Sequence, residues 1–134
     1  MAKMVLKAAY LALDGTDLSS HTSSIEVTAE VEEQDVTTFG SSGWTEVLGG
    51  LASGQLAVTF KQDLTGLDAV VWPLFGDVVP FEVRLSNAAV SASNPAYTGE
   101  VLVSQWSPIA GAVGNVAEVD VTWPTSGPVT RATA

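Results

Sequence analysis

Residues 24–32 read SIEVTAEVE, and this stretch decides the fold. Side chains alternate between the two faces of a strand, so Ile25, Val27, Ala29 and Val31 point one way. Glu26, Thr28, Glu30 and Glu32 point the other. A helix would scatter the same residues around its axis, whereas a strand sorts them into an apolar and an acidic face. The same period of two recurs downstream. Leu56, Val58 and Phe60 alternate with Ala57, Thr59 and Lys61, and Phe81, Val83 and Leu85 alternate with Glu82, Arg84 and Ser86. YTGEVLVSQW (97–106) puts Val101 and Val103 on one face. VAEVDVTW (116–123) sets Ala117, Val119, Val121 and Trp123 against Glu118, Asp120 and Thr122. With VLKAAYLAL (5–13) at the start, six strands are expected.

One segment breaks the alternation. After Asp63, Leu64, Leu67, Val70, Val71 and Leu74 recur at three-and-four spacing, the stripe of an amphipathic helix. Asp63 or Thr65 is placed to cap it, Pro73 bends or ends its last turn, and Gly76 follows. A helix of about three turns is expected there, closing one end of a β-sandwich or barrel. The fold class is therefore mainly β, a small sandwich or barrel of six to eight strands with one flanking helix.

Two connections stand out. Residues 34–54 read as a long loop between the second and third strands, and loops of this length in a compact domain usually carry function. Within it, FGSSGWTEVLGGLASGQ (39–55) mixes glycine and serine with Phe39, Trp44, Val47, Leu48 and Leu51. Glycine and serine are linker residues, yet a free linker has no use for tryptophan. The ending, residues 124–134, has two prolines and small polar residues, and reads as an extended C-terminal arm.

The 134 residues fit one domain, 1–134, with apolar content sufficient for its own core. Only 15% of residues are charged, which leaves much neutral or apolar surface, a liability in a monomer and useful in a subunit. A net charge of −10 opposes phosphate-driven nucleic-acid binding and attachment to anionic membranes. Cysteine is absent, which excludes disulfides and thiolate metal sites. No stretch reaches the roughly 18 apolar residues of a membrane span, and the N-terminal run leads into a strand pattern, so cytoplasmic synthesis is expected.

Catalytic and metal constellations do not assemble. His21, the single histidine, lies in the serine-rich turn DLSSHTSS, without the ordered carboxylate and nucleophile a triad requires. Glu26, Glu30 and Glu32 continue into the acidic run of Glu33 and Asp35, the pattern of a solvated face and not of a buried acid–base pair. LDGTDLSS lacks the spacing of a calcium loop, and the glycines of residues 40–50 lack the lysine of a phosphate loop. No enzyme, cofactor or metal is expected. Trp72, Trp106 and Trp123 suit core or interface packing. Trp44 with Trp106 as sugar-stacking platforms of a carbohydrate-binding sandwich is a weaker alternative.

The order of elements resembles the major tail proteins, or tail tube proteins, of long-tailed bacteriophages. The likeness is carried by GSSGWTEVLGGLASGQLAVTFKQD (40–63), LTGLDAVVWPLFG (64–76) and YTGEVLVSQWSPIAGAVGNVAEVDVTWPTSGPVTR (97–131). It implies a virion protein, made in the host bacterium, whose copies form stacked, hexameric rings with joined sheets. Those rings build a tube around a tape-measure protein, from a tip complex to a terminator, through which DNA passes without specific binding or membrane insertion. It also implies that the loop holding Phe39, Trp44, Val47, Leu48 and Leu51 orders against neighbouring rings. Ordering costs about 1–2 kcal/mol per backbone residue, and burying each large apolar side chain returns about 1.5–3 kcal/mol. Glu26, Glu30, Glu32, Glu118 and Asp120 are the candidates for an acidic lumen face that repels DNA, with the outer surface of the tube as the other place for that face. A tail terminator, a head–tail joining protein or a capsid decoration protein of related fold is the alternative.

Overall fold

The computed structural model describes residues 5–133. Among these residues eight strands form two antiparallel sheets with a short helix at one end, so the mainly β expectation holds. The strands are β1 (Tyr10–Leu13), β2 (Thr16–Asp17), β3 (Thr22–Asp35), β4 (Val47–Lys61), β5 (Val78–Arg84), β6 (Ala96–Leu102), β7 (Glu118–Pro124) and β8 (Thr130–Ala132). One sheet has the order β2-β1-β5-β6-β8 and the other β3-β4-β7.

The core is what the alternation selects. Leu56, Val58, Phe60, Val119, Val121 and Trp123 of one sheet meet Leu11, Leu13, Val79, Phe81, Val83 and Val101 of the other. Pairing of Val27 with Leu56 and of Leu56 with Trp123 puts all three on the inward face, because laterally paired residues share a side. Phe60 packs edge-on against Trp106, with ring centroids 5.8 Å apart and planes at 67°. Trp106 is buried, and its indole N–H donates to the Asp68 carboxylate at 2.7 Å. The buried Trp123 donates to the Gln105 carbonyl at 2.9 Å. Each ring thus supplies apolar area to the core without leaving an orphaned donor.

Several expectations need correction. The helix α1 spans only Asp68–Val71 and tightens into a 3-10 turn at Trp72–Leu74. Proline has no N–H, and the residue before it is restricted, so three regular turns do not form. The start is later than the stripe suggests: residues 63–66 form a turn in which Asp63 accepts from the Thr65 N–H and hydroxyl. Leu64 is consequently exposed, whereas Leu67 and Val71 are buried and Val70 and Leu74 pack against the core. Leu85 and Ala117, expected to face inward, lie just beyond the ends of β5 and β7 and are exposed. The first strand begins at Tyr10 and not at Val5.

The C-terminal arm is not free. Thr130–Ala132 pair with Ala96–Thr98 of β6, and Thr98 and Thr130 share a hydroxyl contact at 2.7 Å. Val129 packs against the core. Two short edge strands, β2 and β8, therefore bring the six expected strands to eight. No helix among the described residues is long and apolar enough to cross a membrane.

Candidate assembly surfaces

The expected loop at 34–54 is mostly a hairpin. β3 and β4 stay paired out to Asp35 opposite Val47, so only residues 36–46 connect them. Both strands run well beyond the core: burial on β4 begins at Leu56, and everything from Val47 to Ser53 is exposed. A glycine-rich stretch reads as a loop because glycine is depleted in strands. Here the glycines answer a packing demand. A Cβ on Gly49 would lie 2.9 Å from Val31 Cγ1, and one on Gly54 would lie 2.9 Å from the Thr28 carbonyl oxygen. A bulge in β4 between the pairs Val31–Ala52 and Glu33–Gly49 tightens the twist at the same place. Gly54→Ala should destabilise the fold by about 1–3 kcal/mol, since backbone and Thr125 close the space. The urea midpoint should fall with an unchanged slope.

The hairpin tip is stitched by its own polar groups. The Thr37 side chain, together with the Thr37 N–H that donates to Asp35 at 2.8 Å, lowers the Asp35 carboxyl from its ordinary value. The Glu46 N–H donates to the Thr37 hydroxyl, and the Val36 N–H to the Glu46 carbonyl. Phe39–Ser41 make a 3-10 turn capped reciprocally by Thr38 and Ser41, and Gly43 supplies a positive φ of 86°. Backbone demands are met inside the tip while its aromatic rings point outward. Phe39 is fully exposed, Trp44 is 78% exposed, and Leu51, Leu48 and Val47 follow along β4. The side chains singled out from the sequence thus occupy one projecting element, three of them on a strand and two on the turn.

The candidate acidic residues also share a face. The register aligns Ser24, Thr59 and Asp120 in one row, and Glu26, Ala57 and Thr122 in the next, on the outward side of the β3-β4-β7 sheet. Glu30 and Glu32 follow on the same side of β3 by alternation, since the register shift between Val31 and Glu33 is taken up by the extra residue of β4. Glu118 sits opposite Lys61 and forms an ion pair with it, and Asp120 accepts from the Thr59 hydroxyl at 2.5 Å. Glu26, Glu30, Glu32, Glu118 and Asp120 are all exposed. One sheet is therefore apolar toward the core and acidic toward solvent, with Lys61 the single basic residue on the outward side.

Two exposed apolar groups were missed as assembly candidates. Trp72 and Phe75 stack with centroids 5.7 Å apart and planes at 4°, and both are about half exposed. Ile109, Val113 and Val116 project from the connection between β6 and β7. The latter signal was present in the sequence as a long, uncharged segment with glycine. Among the described residues no group of three or more metal-ligating side chains comes together. Trp106 is buried, so it provides no sugar-stacking platform beside Trp44.

Comparison with solved structures places this architecture. The chain superposes on a chain of the virion of a native gene transfer agent particle with a TM-score of 0.77. That match has 18% identity and covers 96% of this chain and 98% of the other. A chain from the tail of an empty gene transfer agent particle with C6 symmetry matches with a TM-score of 0.73 and 20% identity, over 95% of both chains. This chain has the fold of a virion tail component. The match runs the full length of both partners, so the sandwich, hairpin and helix belong to one shared architecture. No family model matches the chain, and no curated protein matches it. The tail-protein resemblance read from the sequence is borne out in the fold.

Proposed function

We propose that this protein is a tail tube subunit that polymerises through stacked rings of six into the conduit for DNA in a phage-like particle. The observation that carries the reading is the full-length likeness to a chain from a tail with C6 symmetry. The surfaces support it. An exposed apolar hairpin is costly on a monomer and suits a subunit that buries it against a neighbour. A contact between unlike surfaces on adjacent rings repeats without closing, so the assembly grows along one axis. The free edges of the β3-β4-β7 sheet have backbone groups with which neighbouring sheets would join around the ring. The protein acts as a structural virion component, with other copies of itself, a tape-measure protein, and tip and terminator proteins as its partners.

In this reading the outward face with Glu26, Glu30, Glu32, Glu118 and Asp120 lines the lumen and repels passing DNA. Glu26→Lys with Glu30→Lys should leave the fold intact, since both positions are exposed. Tubes of this variant should retain short linear DNA, which can enter the lumen, at low salt and release it at high salt, and should not retain closed circular DNA, which cannot enter, whereas wild-type tubes retain neither. Equal DNA retention by both would remove the lumen assignment.

Electron microscopy of concentrated purified protein tests the function itself. Long hollow tubes support the tube subunit; single rings that do not elongate would favour the terminator or joining-protein alternative. A glycan-binding monomer predicts neither.

A further inference from the structure

The sandwich is open beneath the base of the hairpin. Ile25 and Val27 of β3 face Val83, Leu85, Tyr97 and Val129 across a cleft of about 270 Å³. β3 is the edge of its sheet, so no strand flanks these side chains on its far side. None of the six residues is charged, and all but Val83 keep part of their surface in solvent. The space suits one aromatic side chain and is small for a drug-sized ligand. Arg131 stands beside it. It pairs with Tyr97 and so shares that side of the sheet, it is exposed, and among the described residues it forms no ion pair.

A knob of matching character lies at the other end of β5. Trp72 and Phe75 stack with centroids 5.7 Å apart, both about half exposed, and Val78 is exposed beside them in sequence. Asp68 adds no outward charge there, because its carboxylate accepts from the Trp106 N–H. The acid of the knob is Asp77, exposed and two residues past Phe75, with its carbonyl held by the Val103 N–H at 3.0 Å. The seven residues of β5 separate knob from cleft by about 23 Å of strand. The knob therefore does not fill the cleft of its own chain.

Charge and direction select the knob among the exposed apolar groups. Val5 and Leu6 precede Lys7 and would bring like charge to Arg131. Ile109, Val113 and Val116 project near Gln62, whose side chain donates to the Pro108 carbonyl at 2.6 Å, and residues 103–117 have no acid to offer the arginine. The hairpin is acidic, but it continues from the same end of the sandwich that holds the cleft: Val27 lies opposite Leu56 and Ala29 opposite Gly54, with the tip beyond them. A tip seated in the cleft would join like ends of two copies. Contacts between like ends close as pairs, whereas contacts between unlike ends repeat into rings or filaments. The knob alone combines the opposite end, an aromatic surface and an acid.

We infer that the Trp72–Phe75 knob of one copy of this chain seats in the cleft beside Val27 and Tyr97 of a second copy, with Asp77 meeting Arg131. The contact runs head to tail along β5 and is separate from the hairpin tip. It rests on the tube-subunit reading and gives that reading a further interface between copies.

Exchanging the two charges tests the pair. Asp77→Arg and Arg131→Asp each place like charges at the contact, and each should raise the concentration at which assembly sets in about fivefold or more. Combined in one chain they should restore it to within about twofold of wild type. Both positions are exposed, so the urea midpoints should stay at the wild-type value. The absence of cysteine allows a second, independent test. Ala69→Cys, exposed and one helical turn before Trp72, is combined with Thr133→Cys, exposed and two residues past Arg131, and the assembled protein is treated with a short bismaleimide. The double variant should give a ladder of dimers, trimers and higher species on a denaturing gel, and each single variant should stop at or below dimer. Where wild type forms tubes, three results would each overturn the inference alone: charge singles that assemble like wild type, a combined variant no better than its singles, or a double cysteine variant with no more ladder than its singles. A wild-type protein that forms neither rings nor tubes would overturn the tube reading, and the inference with it.

Discussion

Trp44→Ala should leave the isolated subunit as stable as wild type and stop it from forming tubes at concentrations where wild type polymerises. The indole is exposed in the subunit and contributes nothing to the core, so the change in unfolding free energy should stay within about 0.5 kcal/mol. The tip that presents it is held by hydrogen bonds among Asp35, Thr37, Thr38, Ser41 and Glu46, none of which involves the ring. Its shape should therefore survive the substitution. Truncating a buried tryptophan at an interface costs about 2 kcal/mol or more, roughly 30-fold in the affinity of each tip. Every tip in a ring would carry that loss at once, so elongation should suffer more than any single contact. Sedimentation and electron microscopy over a concentration series, beside a urea titration, separate the two effects. Tubes of wild-type length and onset would show that Trp44 is not the anchor between rings.

Trp123→Ala should do the opposite. The ring is fully buried, packs within 6.4 Å of Phe60 between ring centroids, and donates its N–H to the Gln105 carbonyl. Emptying this site should cost about 3–5 kcal/mol, from lost transfer energy and the cavity left between the sheets. A domain of this kind has about 5–15 kcal/mol in total, so the variant should be marginally folded. Trp123→Phe keeps most of the volume and loses the hydrogen bond, and should fall in between at about 1–2 kcal/mol. Equilibrium urea unfolding orders the three proteins. A loss below 1 kcal/mol for the alanine variant would mean that Trp123 is not a keystone of the core.

These two tryptophans show where the sequence was legible. Trp123 ends a clean alternation, Val119-Val121-Trp123, and period two alone assigns it to the core. Trp44 has no periodic neighbours and lies among glycine and serine, so its exposure was also readable. The acidic face came through because alternation sorts glutamate from valine along β3 before any partner strand is known. Residues 47–54 were read as loop because glycine carries a propensity against strands that says nothing of its neighbours. Only pairing with Ala29, Val31 and Glu33 shows that Gly49 and Gly54 sit where a Cβ would collide. The short α1 was overestimated because apolar spacing extends through Pro73, whereas backbone hydrogen bonding does not.

By itself, the sequence determined the β class, the core-facing set Leu56, Val58, Phe60, Val119, Val121 and Trp123, the acidic side of the β3-β4-β7 sheet and the side chains of the tip. Each follows from the chemistry of a residue and its immediate neighbours. Only the tertiary structure decided that the tip stands on a hairpin, that residues 130–132 close the second sheet, and that Ile109, Val113 and Val116 lie at the far end of β4 from Trp44. Those are relations between segments distant in the chain, set by strand register and by the path of connections. Local periodicity has no access to them.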